Sequence, residues 1–102
     1  MPITRKQFEL GIDDVVEAWM RKVHAVLSED RNSAFTQSEL RKALARDLGE
    51  FYNVSPEMAL KLYRPEEPLI LALEKLVALG SADARVVRGK KYYAFLSDLD
   101  AV

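Results

Sequence analysis

Apolar residues in this chain follow two periods in turn. Phe8, Ile12, Val15, Val16, Trp19, Val23 and Val26 recur at steps of three and four, the spacing that lines one face of an α-helix. Ahead of them, Thr4-Arg5-Lys6-Gln7 has the spacing of a capping box, in which the Thr4 hydroxyl and the Gln7 side chain satisfy free backbone donors. A long amphipathic helix is expected from there to about Ser28, with Met20 and Leu27 widening its apolar face. Gly11 is where it kinks or splits, since glycine costs about 1 kcal/mol relative to alanine inside a helix.

Beyond a polar loop from Glu29 to Ser33, Ala34-Phe35 is a short extended step leading into Thr36-Gln37-Ser38-Glu39, the clearest capping box in the chain. The helix it opens turns Leu40, Ala43, Leu44 and Leu48 inward and Arg41, Lys42 and Arg46 outward, and Gly49 is expected to stop it. Residues 50–54 are expected to turn. Ser55-Pro56-Glu57 then reads as an N-cap, a proline at the first helical position and an acid suited to the helix dipole. A short helix through Met58, Ala59, Leu62 and Tyr63 ends at Arg64-Pro65-Glu66-Glu67-Pro68, because proline excludes the α conformation at the residue before it.

From Leu69 to Leu79 two helical rows, Leu69-Leu73-Leu76 and Ile70-Leu73-Val77, predict a broad inward stripe with Leu71 and Leu79 on its flanks. Gly80 suits the left-handed C′ position. After Ser81 the period falls to 2, with Ala84 and Val86 on one side and Arg85 and Val87 on the other. Arg88-Gly89-Lys90 is the expected turn, and Lys91 to Leu96 the return strand, rich in aromatics that suit a half-buried sheet.

At 102 residues the chain is expected to be one domain, 1–102, comprising an N-terminal helix and loop (1–33), a helical region (34–80) and a hairpin (81–97). With 49% apolar and 30% charged residues, it has the profile of a globular protein rather than a disordered tail. No apolar run approaches the roughly 20 residues of a membrane span, and the start of the chain lacks the apolar core of a secretory signal. Absence of cysteine excludes disulfides, zinc-thiolate sites and thiol nucleophiles, and fits a cytoplasmic location.

Candidate chemistry is sparse. There is no nucleophile-base constellation and no glycine-rich phosphate loop, so an enzyme is not expected, nor a cofactor. His24 is the sole histidine, and ion pairing along the helix explains Asp13, Glu17 and Arg21 without a metal. Charge is the informative feature. The net charge is −1, which argues against coating nucleic acid through bulk electrostatics, yet between Asp83 and Lys91 four cations (Arg85, Arg88, Lys90, Lys91) face one acid. Such a tip either contacts phosphate or is a solvated hairpin end blunted against edge pairing.

The Thr36, Glu39, Leu40 box, the run Leu73-Glu74-Lys75-Leu76 ending at Gly80, and Arg88-Gly89-Lys90-Lys91-Tyr92-Tyr93 together resemble the winged helix-turn-helix regulators of the PadR and MarR type, over residues 34–96. The resemblance implies an α+β, mostly helical fold with a long N-terminal helix and a C-terminal β-hairpin wing. It also implies double-stranded DNA as partner, with one helix in the major groove and the wing on the backbone or minor groove. Candidate DNA contacts are Arg41, Lys42, Arg46, Lys61, Arg64, Arg85, Arg88, Lys90 and Lys91. The recognition helix has two possible starts. One is Pro68, led by Glu66 and Glu67, which would repel phosphate; the other is Ser55, presenting Glu57, Lys61 and Arg64. A transcriptional regulator of this kind is expected to be a homodimer, and Val16, Trp19, Met20, Val23 and Leu27 are its candidate seam. The alternative is a winged-helix module that docks another protein, supported by the near-neutral charge, the acidic Glu66-Glu67 step and the surplus apolar residues Leu71 and Leu79.

Overall fold

The expected long N-terminal helix is two helices. A computed structural model describes residues 2–63 and 66–99, and in it α1 spans Arg5–Leu10 and α2 Asp14–Glu29. Gly11, at φ 72°, ends the first, and the Asp13 carboxylate opens the second by accepting from the Val16 N–H at 3.0 Å. The Thr4–Gln7 capping box forms in both directions, at 3.1 and 2.9 Å. Gln7 is buried, and its Nε2 donates to Asp14 Oδ1 at 2.7 Å and to Glu17 Oε2 at 2.6 Å, which ties α1 to the first turn of α2. Because the chain turns between Leu10 and Asp14, one helical period does not run through. Phe8 and Val15 therefore leave the buried stripe, at 68% and 58% exposure.

The remainder of the chain runs β1 (Ala34–Thr36), α3 (Gln37–Tyr52), α4 (Pro56–Tyr63), α5 (Glu66–Ala78), β2 (Ala82–Val87) and β3 (Lys90–Phe95). The core forms where α2 lies against α5 and α3. Val16, Trp19, Met20, Val23 and Leu27 meet Leu40, Leu44, Leu69, Leu73 and Leu76 there. Each fully buried leucine contributes roughly 1.5–3 kcal/mol relative to exposure. This corrects the expected dimer seam: all five of its residues are buried in the chain's own core, with Met20, Val23 and Leu27 at 0% exposure. On α5 the Leu69-Leu73-Leu76 row and Ala72 are buried, whereas Ile70, Leu71 and Val77 are exposed, because the sheet and α2 cover a single side of this helix.

Gly49 does not stop its helix. α3 continues to Tyr52, and Asn53 takes the left-handed cap at φ 56°. Glycine is needed at position 49 for a different reason: a Cβ there would lie 2.8 Å from Val54 O and 3.3 Å from Pro56 N, so only glycine lets the start of α4 cross this closely. Phe51 and Tyr52 thereby end on a helix rather than in a turn. Ser55 caps α4 by accepting from the Met58 N–H at 3.1 Å, and α5 begins at Glu66, with Pro68 in its first turn.

The three strands form an antiparallel sheet in the order β1-β3-β2. Thr36 stands opposite Tyr92, Ala84 opposite Tyr93 and Val87 opposite Lys90. Tyr93 is buried, and Phe35, Ala84 and Phe95 pack partly against the core beside it. The hairpin turn is the two residues Arg88 and Gly89, with φ 52° and 79°, which matches the twist of the strands as a type I′ turn does. Lys90 therefore belongs to the strand, not to the turn. Among the described residues no helix is long and apolar enough to cross a membrane.

Candidate nucleic-acid interface

The pairing of Thr36 with Tyr92 puts the first turn of α3 against the basic end of β3. Between them lies a groove of about 360 Å³, lined by Thr36, Gln37, Ser38, Lys90 and Lys91. The Thr36 hydroxyl accepts from the Glu39 N–H at 3.2 Å, and Glu39 Oε1 accepts from the Thr36 N–H at 2.9 Å and from its hydroxyl at 3.0 Å. These bonds, the backbone one first, hold the Glu39 carboxyl below the usual carboxylate range, and the positive charges of Lys42 and Lys90 add to the effect. Lys42 lies one turn along α3 and Lys90 on the hairpin. Lys91 extends over the ring of Tyr93, its ammonium 5.7 Å from the centroid, a cation–π contact that restrains it beside the groove.

Of the nine candidate contacts, Lys90 and Lys91 line the groove at the start of α3, Lys42 is exposed one turn along that helix, Arg88 is exposed at the adjoining turn, and Arg46 is exposed one turn beyond Lys42 on the same row of α3. Arg41 is half-buried. Arg85 lines a different groove, on the outer face of the sheet, and pairs with Asp83 at 3.2 Å, which offsets its charge. Lys61 is exposed in the last turn of α4 and does not line the groove. Arg64 lies outside the described residues. Among the described residues neither expected recognition helix presents a basic reading surface: α4 exposes Pro56, Glu57, Met58 and Lys61, and α5 exposes Ile70, Leu71, Glu74 and Val77.

Gln37 and Ser38 join the groove although sequence patterning did not single them out as contacts. Only the β1–β3 register, a pairing between segments nearly sixty residues apart, brings them beside Lys90 and Lys91. His24 is structural: its Nε2 lies 2.9 Å from the Ser97 carbonyl oxygen, and its ring packs against Phe95 at 5.5 Å. Arg31 covers the same phenyl ring, 4.1 Å from its centroid, and reaches Asp98 at 3.9 Å. Comparison with known proteins finds no matching family model, no matching curated protein and no matching solved structure.

Proposed function

We propose that this chain is a winged-helix protein that binds double-stranded DNA through the start of α3 and the basic end of its hairpin, in the manner of a transcriptional regulator. The observation that carries the reading is the juxtaposition of the first turn of α3 with Lys90 and Lys91. A helix start presents free N–H groups and the positive end of the helix dipole, and two ammonium groups beside it complete a cradle for a phosphate. The sheet order β1-β3-β2, with β1 leading directly into α3, is the arrangement a winged helix requires. Arg88 adds support: at φ 52° it occupies a turn position that favours asparagine or glycine, and it carries its charge to the outermost point of the hairpin.

In this reading the contacts are to phosphate, and base readout is weak. Glu39 subtracts from the attraction, and neither α4 nor α5 offers an arginine, asparagine or glutamine cluster for base edges. Affinity is therefore modest and tolerant of sequence. Fluorescence anisotropy with a labelled duplex tests it: Lys90→Ala combined with Lys91→Ala should weaken binding about tenfold or more. Equal affinity of the double variant and the native chain, or no binding at low salt, would refute the proposal. A second reading, protein docking, is favoured by one observation at the other end of α3, where Phe51 is 80% exposed.

A further inference from the structure

We infer that the groove between α2 and the C-terminal half of α3 is the seam of a two-fold homodimer, in which each copy seats the Phe51 ring of the other. The inference uses none of the residues of the DNA reading and fails or stands separately from it. The groove holds about 360 Å³, and Ala25 on α2 and Leu48 on α3 form part of its lining. Phe51 stands at its edge, 80% exposed, with its ring edge-on to Tyr52 at a centroid distance of 4.8 Å. The backbone that carries the ring is fixed, because α3 runs through Gly49 and keeps residue 51 helical. No backbone ordering is required when it docks, which favours association.

Knob and hole lie side by side on one face. That is the condition for an isologous contact, in which the same patch serves both partners. Ala25 has only a methyl group, so the α2 side of the groove is shallow enough to admit a ring.

Charge selects a second copy over an unrelated chain. Lys22 lines the groove from α2 and Asp47 from α3. Among the described residues neither is spent on an ion pair. With the two-fold axis running along the groove, α2 of each copy lies over α3 of the other, so Lys22 of each copy faces Asp47 of the other and the attraction occurs twice. The patch is its own electrostatic complement. It also leaves the basic groove open, since Phe51 and Gln37 are fourteen positions apart on α3, about 21 Å at 1.5 Å per residue.

Analytical ultracentrifugation of the whole chain, from about 1 to 500 µM, reads the outcome. The native chain should pass from monomer to dimer with a dissociation constant roughly in the micromolar range, as suits a small interface. Phe51→Asp should raise that constant at least tenfold, and Phe51→Ala should raise it less. Lys22→Asp alone and Asp47→Lys alone should each be monomeric, because each places like charges together twice. An equimolar mixture of those two variants should form a heterodimer, since both cross-contacts are then attractive. All these positions are exposed or line an open groove, so circular dichroism should show an unchanged fold. A native chain that stays monomeric to 500 µM would overturn the proposal, as would a dimer indifferent to Phe51→Asp or a mixture that does not pair. Monomeric chain that is instead captured through Phe51 by a different protein would also overturn it.

Discussion

Thr36 stands opposite Tyr92 in the sheet, and this pairing places the start of α3 beside the basic end of the hairpin. Register in a strand is unforgiving: a slip by one residue would turn Tyr93 out of the core and Tyr92 into it. The buried Tyr93 therefore holds Lys90 and Lys91 where they border Gln37 and Ser38. Core packing and the proposed phosphate cradle are linked through one strand.

Glu39 opposes the cradle's charge while capping its helix. Glu39→Gln keeps an acceptor for the Thr36 N–H but removes the negative charge at the start of α3, so duplex DNA should bind several-fold more tightly. The native carboxyl titrates below its unfolded value, so its stabilising contribution is complete above the ordinary carboxylate range and is lost as pH falls through the lowered folded value. Urea unfolding of the two proteins at neutral pH and at about pH 3 should show a difference that shrinks in acid. A difference that grows in acid would contradict this assignment.

Gly49→Ala should destabilise the fold by about 1–3 kcal/mol, although alanine is the better helix former. The new methyl would meet the backbone of Val54 and Pro56, which cannot rotate away as a side chain would. Denaturant midpoints measure it directly. A stabilised Gly49→Ala protein would mean that α4 does not cross α3 as described.

Arg88→Asn should move stability and DNA affinity in opposite directions. Asparagine accepts the left-handed conformation more readily, so the hairpin should gain about 0.5–1 kcal/mol, while loss of the cation should weaken duplex binding. Thermal melting and anisotropy on the same sample check both signs.

Gln7→Glu should detach α1. It places a third carboxylate against Asp14 and Glu17, where the amide now donates two hydrogen bonds, and the loss should be about 1–3 kcal/mol at neutral pH. Urea unfolding at neutral pH measures it, and a Gln7→Glu protein as stable as the native chain would contradict the assignment.

Much of the architecture was legible in local pattern. Both capping boxes, the Ser55 cap, the Leu69-Leu73-Leu76 row and the hairpin around Gly89 are signals contained within a few residues, and each forms, with Lys90 in the strand rather than in the turn. What failed depended on packing partners outside the helix in question. Gly49 looks like a helix stop until α4 is seen to cross it, and Val16, Trp19 and Met20 look surplus until α3 and α5 are seen to cover them. The same limit applies to the site: Lys90 and Lys91 were visible as charge, whereas Gln37 and Ser38 needed the sheet register to join them.

Salt titration of duplex binding decides whether the basic groove holds phosphate. With three or four phosphates contacted per chain, the logarithm of the binding constant should fall linearly against the logarithm of salt concentration with a slope between about −2 and −4, and Lys90→Ala with Lys91→Ala should reduce its magnitude by about 2. A slope near zero, or one unchanged in the double variant, would contradict the proposed interface.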